Sequence, residues 1–151
     1  MALAHQKMYQ DNNFEQINVT EYSRDIMEVL VNSIPKHDLD QFEVLGEDLF
    51  INVEQAQAVG FIVHELITNS IKYAWDNDQK RNIEVKYQKD GEQLKVTYKD
   101  NGKGLPSGFE LETATSLGMK LVNSFVKRQL KGSIDSYADN GVNFAINFNY
   151  R

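Results

Sequence analysis

An α+β two-layer sandwich, a mixed and mostly antiparallel sheet with its helices on one face, is the fold this sequence predicts. Helical periodicity alternates along the chain with strand-like alternation. Two turn pairs, Asp90-Gly91 and Asn140-Gly141, each join two such strands. The strands have one apolar and one polar side, so the helices are expected to cover the apolar side and leave a more polar face opposite. A length of 151 residues, 41% hydrophobic and 25% charged, is that of one compact domain.

The elements follow in order. Residues 2–10 read as helix, but isolated helices below roughly 12 residues are marginal, so this stretch is expected to be the end of something longer. After Asp11-Asn12-Asn13, Asn18 and Glu21 stand at the spacing of an N-cap and its partner, and Tyr22, Ile26, Val29, Leu30 and Ser33 share a face. That predicts a helix over 19–33. Two extended runs, 42–45 and 49–52, flank Gly46-Glu47-Asp48 and predict a small hairpin. Val59, Ile62, Val63, Leu66, Ile67, Ile71 and Ala74 recur at helical spacing over 54–75, while Glu65, Asn69, Lys72 and Asp76 line up on the other side.

Asp90-Gly91 joins a strand with Ile83, Val85 and Tyr87 on one side to a strand with Leu94, Val96 and Tyr98. A glycine-bearing loop over 100–115 leads into a helix predicted to turn Leu117, Leu121, Val122, Phe125 and Leu130 inward. The last hairpin runs from 133–137 through Asn140-Gly141 to Val142, Phe144, Ile146, Phe148 and Tyr150, which alternate with polar or small residues.

Sixteen basic residues against 22 acidic ones give a net charge of -6, which excludes the broad basic surface of a general nucleic-acid or anionic-membrane binder. An acidic chain that holds phosphate must do so locally. With no cysteine there are no disulfides, thiolate metal sites or cysteine nucleophiles, and a reducing compartment, the cytoplasm, is the expectation. No apolar run approaches the roughly 20 residues of a membrane span, and the N-terminus lacks the pattern of a secretion signal.

Three elements could carry chemistry. Glu65, Asn69 and Lys72 have the spacing of an ordinary solvated helix face. The same set also offers an amide oxygen one turn from a carboxylate with an amine beyond, which suits a hard cation that takes phosphate oxygens, magnesium above all. Asp100-Asn101-Gly102-Lys103-Gly104 after a strand is made of turn residues. Its glycines would also let backbone approach a flat ligand, and its Asp could accept from an exocyclic amine such as that of adenine. Ser116 is an N-cap for a helix whose first turn, Leu117 to Met119, presents unpaired N–H groups to an anion, with Gly118 leaving room for a phosphate. In this order the three together read as a nucleotide site.

The same residues carry a resemblance. His64-Glu65-Leu66-Ile67-Thr68-Asn69-Ser70-Ile71-Lys72-Tyr73-Ala74 resembles the N-box of the Bergerat-fold (GHKL) ATPases, Asp100-x-Gly102-x-Gly104 their G1 box, and Ser116-Leu117-Gly118-Met119 their G2 box. Within that superfamily the chain is most similar to the catalytic domain of two-component sensor histidine kinases. Residues 1–13 resemble the end of the second dimerisation helix, and 14–151 the ATPase domain.

The resemblance implies ATP and Mg2+ as ligands. It implies that Asn69 ligates magnesium, and that Glu65 orients a metal-bound water or assists proton transfer. Lys72 would lie near the phosphates and Tyr73 beside the nucleotide. Asp100 would hold the adenine amino group, Gly102 would pack on the base, and Gly104 would hinge a short lid over 105–115. Ser116, Leu117, Gly118 and Met119 would line the phosphate path. Two residues depart from the pattern: Ser116 stands where a glycine is frequent, and Val142 where Thr is common.

The implied activity is transfer of the γ-phosphoryl group of Mg-ATP to a histidine on a dimerisation domain absent from this chain. A downstream response regulator and a homodimeric parent, either free in the cytoplasm or membrane-tethered, complete the implied system. Autophosphorylation in cis is not expected, because His5 belongs to the second helix of the pattern, His37 reads as a solvated loop residue and His64 as a packing partner. The alternatives are an anti-sigma-factor-type serine kinase, against which residues 1–10 argue, and a nucleotide-dependent binding module without transferase activity.

Overall fold

The computed structural model describes residues 16–76, 79–105 and 116–151. The predicted N-terminal helix with His5, the boundary between residues 13 and 14, and lid residues 106–115 lie outside the described residues. In chain order the elements are β1 (Ile17–Asn18), α1 (Val19–Val31), β2 (Gln41–Leu45), β3 (Phe50–Ile51), α2 (Val53–Tyr73), β4 (Asn82–Asp90), β5 (Gln93–Asp100), α3 (Leu117–Ser124), β6 (Ser133–Ala138) and β7 (Val142–Asn149). A π-helical turn, Phe125–Gln129, continues α3.

The main sheet has the order β2-β4-β5-β7-β6, with β2 parallel to β4 and the other neighbours antiparallel. The first hairpin turn falls one residue later than predicted: Asp90 pairs with Gln93 as the last rung of the ladder, so Gly91-Glu92 joins β4 to β5, while Asn140-Gly141 lies in the three-residue loop 139–141 that joins β6 to β7. Ile83, Val85 and Tyr87 of β4, Leu94, Val96 and Tyr98 of β5, and Phe144, Ile146 and Phe148 of β7 are buried in one core with the apolar sides of the helices. Glu84, Lys95 and Lys99 alternate with them, and Lys99 pairs with Glu84 at 3.5 Å on the polar face. The architecture is the predicted α+β sandwich. No helix among the described residues is long and apolar enough to cross a membrane.

Both long helices begin where an asparagine can hold an orphan N–H. The Asn18 side chain accepts from Glu21 N at 3.1 Å, and that of Asn52 from Gln55 N at 2.8 Å. Helices α1 and α2 approach closely at Gly60, where any Cβ would strike the ring of the buried Tyr22. Two tyrosines rise from the inner face of the sheet to meet helix hydroxyls: Tyr87 OH bonds Ser23 Oγ of α1, and Tyr98 OH bonds Ser70 Oγ of α2.

Three further sequence expectations are corrected. Runs 42–45 and 49–52 do not pair with each other. β2 adds in parallel to β4, Gln41 opposite Asn82 through Leu45 opposite Lys86, and β3 pairs with β1. Leu49 is buried between them and its carbonyl accepts from Val19 N at 2.8 Å, which turns the chain away from β2. Val29, predicted inward, is 66% exposed, because the buried stripe of α1 runs through Val19, Ser23, Ile26 and Met27 and leaves it on the margin. Leu117 and Leu121 are 72% and 37% exposed, because α3 turns the row Met119, Val122, Val126 and Leu130 into the core instead.

Candidate functional site

Helix α2 lies over the sheet with Leu66, Ile67, Ser70 and Ala74 buried, and this orientation carries Asn69 and Tyr73 to the edge of the layer. Strand β5 ends beneath the same edge at Asp100. Between them, closed by the start of α3 and the start of β7, is a cavity of ≈ 610 Å³. Leu66, Met119, Val142 and Phe144 give it apolar walls, and Asn69, Ser70, Tyr98 and Asp100 supply polar atoms. A concave apolar site with a few convergent polar groups is the general form of a small-molecule pocket.

Asp100 is only 5% exposed, and its carboxylate is held by three internal donors. The N–H groups of Gly102 and Val142 donate to Oδ1 at 2.9 and 3.0 Å, and Ser70 Oγ donates to Oδ2 at 2.6 Å. An ionised carboxylate offers about four acceptor positions, so with respect to the described residues one remains, on Oδ2. The Val142 contact is made by backbone, so valine in place of Thr leaves it intact. The loop after Asp100 is anchored to the end of α2: Lys103 N donates to Ala74 O at 2.8 Å, and Trp75 Nε1 to Asn101 Oδ1 at 2.7 Å. Gly102 packs directly on Ala74, where a Cβ would overlap its side chain and carbonyl.

At the other end of the cavity, Asn69 Nδ2 donates to the Met119 thioether at 3.3 Å, which leaves the Asn69 amide oxygen without a partner among the described residues. Ser116 caps α3, its Oγ accepting from Met119 N at 3.3 Å. Glu65 of α2 faces α3 at Gly118, so closely that a Cβ on residue 118 would meet Oε2.

Of the sequence-predicted residues, Asn69, Tyr73, Asp100, Gly104, Ser116 and Met119 border the one cavity. Tyr73 does so while 69% exposed. Glu65 and Gly118 meet beside it. Lys72 and Leu117 are exposed and do not line it, and Gly102 supports Asp100 from behind rather than lining it. Sequence reasoning passed over Ser70, Tyr98 and Lys103. The signal for Ser70 was present, a hydroxyl at i+4 from Leu66 and i−4 from Ala74 on the inward stripe. Lys103 lines the cavity and pairs with Asp76 at 2.9 Å at the surface.

The donor set suits a cation carried by its ligand. Among the described residues no cluster of three His, Cys, Asp or Glu side chains could hold a metal alone. One uncommitted amide oxygen beside an anion-receptive helix start fits magnesium, which keeps waters and phosphate oxygens in its shell.

A family model described as "Histidine kinase-like ATPase domain" matches residues 39–136. The chain is 29% identical over 122 residues, 80% of its length, to the sensor histidine kinase PdtaS of Mycobacterium tuberculosis, of which this is 24%. It is 26% identical over 98 residues to blue-light-activated histidine kinase 2 of Erythrobacter litoralis, covering 64% of this chain and 28% of that one. The chain therefore spans about a quarter of the length of these curated relatives.

Among solved structures, the histidine kinase domain of an Erythrobacter litoralis blue-light activated histidine kinase superposes with a TM-score of 0.78 at 24% identity, covering 89% of this chain and 62% of that one. The ATP binding domain of PrrB from Mycobacterium tuberculosis gives 0.74 at 14% identity, covering 92% and 98%. These likenesses are of fold. With a family match over residues 39–136, and the fold and cavity that go with it, the chain belongs to the histidine kinase-like ATPase domain family.

Proposed function

We propose that this domain binds Mg-ATP in the cavity between α2 and α3 and transfers the γ-phosphoryl group to a histidine presented by a separate dimerisation domain of the same parent protein. The observation that carries the reading is convergence: Asp100 at the end of a strand and Asn69 on a helix border one cavity, with apolar walls between them. On this reading the vacant position on Asp100 Oδ2 accepts the adenine amino group, and Leu66, Met119 and Phe144 pack on the purine. Asn69 holds magnesium through its amide oxygen. Magnesium, when bound, neutralises phosphate charge as the transferred group leaves.

The chemistry asks little covalent work of the protein. The imidazole nitrogen forms the N–P bond, the bond from the γ-phosphorus to the β-γ bridging oxygen breaks, and ADP departs, so rate comes from positioning and charge. On this reading Glu65, which lies beside the start of α3, takes the imidazole proton. The N–H groups at the start of α3 receive phosphate oxygens. A response regulator then draws the phosphoryl group from the parent, a homodimer, and a cytoplasmic location follows from the use of ATP.

The test supplies a separately expressed dimerisation domain and γ-labelled ATP. Magnesium-dependent binding by calorimetry and an acid-labile label on the added domain are the expected results. Acid-stable label would favour a serine kinase, and binding without label a nucleotide-dependent binding module.

A further inference from the structure

Three hydroxyl and carboxyl groups stand in a buried chain behind the cavity. Tyr98 OH lies 2.5 Å from Ser70 Oγ and 3.0 Å from Leu66 O, and Ser70 Oγ lies 2.6 Å from Asp100 Oδ2. Proton counting fixes its direction. An ionised carboxylate has no proton to give, so at 2.6 Å the Ser70 proton must point to Asp100; a lone pair there would face a charged oxygen. Ser70 has one proton, so it can only accept from Tyr98. Tyr98 shares its own between Ser70 Oγ, the nearer acceptor, and Leu66 O.

Tyr98 keeps that proton. Burial raises its phenol well above the usual value, the Ser70 hydrogen bond offsets part of the rise, and the Asp100 charge adds to it. Ser70 and Tyr98 are both buried, and neither needs to form these bonds to fill space: alanine suits a helix interior, and phenylalanine has the same ring.

We propose that Ser70 and Tyr98 are positioning residues for Asp100, fixing its Oδ2 so that one acceptor position, and only one, meets the exocyclic amine of an aminopurine. The proposal rests on the nucleotide reading above and deepens it. Oδ1 is already saturated by Gly102 and Val142, so without Ser70 the carboxylate can pivot about those two bonds, and Oδ2 has two open positions that water competes for.

The experiment titrates the full 151-residue chain by calorimetry, in excess magnesium, with ATP and with purine riboside triphosphate, which lacks the amine. The wild-type chain is expected to prefer ATP by about 10-fold or more, the range of a hydrogen bond to a charged acceptor. Ser70→Ala is expected to cut that preference to roughly threefold while holding purine riboside triphosphate within about twofold of wild type, by the same scale. Tyr98→Phe, which keeps Ser70 but removes its donor, is expected to cut it less.

A preference unchanged in Ser70→Ala, or an equal loss for both ligands, overturns the positioning role and leaves the nucleotide site standing. No preference in the wild-type chain overturns the contact between Asp100 and the amine, and with it the proposal. Tyr98→Phe reads the same ratio independently should Ser70→Ala fold poorly.

Discussion

Glu65 of α2 and Gly118 of α3 are so closely apposed that the carboxylate occupies the place a side chain on residue 118 would take. The obstructing atom is the end of a flexible side chain, so Gly118→Ala can be accommodated by moving Glu65 rather than the backbone. Alanine is also the better helix former by about 1 kcal/mol. The variant should therefore unfold at the same temperature or slightly higher, yet transfer phosphoryl at least roughly tenfold more slowly, less than the roughly 10²–10⁴-fold cost of losing a general base outright because Glu65 is displaced and not removed. Thermal unfolding and single-turnover labelling measure the two effects. Unchanged turnover would remove Glu65 from the proton-transfer role.

Asp100 and Asn69 border the same cavity but should fail differently when removed. Asp100→Ala takes away the acceptor for the base, so nucleotide affinity should fall about 10-fold or more whether or not magnesium is present. Asn69→Ala should abolish the gain in affinity that magnesium confers and leave binding in chelator unchanged. Calorimetry with and without chelator separates the cases, and equal behaviour of the two variants would break the division of labour.

How much of this was legible in the sequence can be judged residue by residue. The local signals held for Asn18, which caps its helix, and for the two hairpins, although the first turn is Gly91-Glu92, one residue beyond Asp90-Gly91; the cap at Asn52 was hidden at the end of a run that reads as extended. Pairing over long separation was not legible. Gly46-Glu47-Asp48 is consistent with a hairpin, and nothing near it tells that the partner of residues 41–45 is residues 82–86, some 40 positions on. Which of two adjacent apolar rows faces inward was equally hidden in α3, because Leu117/Leu121 and Met119/Val122 both have helical spacing and only the fit onto α2 decides. At the site, motif residues were visible by type, whereas Ser70 and Tyr98 act through contacts between α2 and β5 that no single segment displays.

The Asp40–Arg81 pair should dominate the acid limb of stability at its end of the molecule. Arg81 donates twice, at 2.9 Å to Oδ1 and 2.6 Å to Oδ2, and both side chains are largely buried. These hydrogen bonds, helped by the His37 N–H and opposed by burial, hold the Asp40 carboxyl below its usual value of 3.8. A depressed carboxyl pKa stabilises the fold above its unfolded value and loses that contribution as pH falls through the folded one. Stability should thus be flat on this account at neutral pH and decline below about pH 4. Asp40→Asn should cost about 2 kcal/mol at pH 7 and flatten the decline, as measured by denaturant unfolding across pH.

Gly141 and Gly91 both adopt positive φ, at +136° and +63°, but in opposite surroundings. At Gly91 nothing lies within 4 Å of an added Cβ, so Gly91→Ala carries only conformational strain, about 1 kcal/mol. At Gly141 the Cβ would enter the space of the Asp100 carbonyl and approach its Oδ1. The obstacle there is backbone, and relief requires the start of β7 to withdraw, taking the Val142 N–H from Oδ1 with it. Gly141→Ala should cost about 3 kcal/mol and lower nucleotide affinity, since the carboxylate loses one of its three holders. Gly91→Ala should leave affinity unchanged. Unfolding and calorimetry on the pair separate backbone strain from loss of Asp100 alignment, and equal affinities in both variants would mean the Val142 contact does not hold the carboxylate in place.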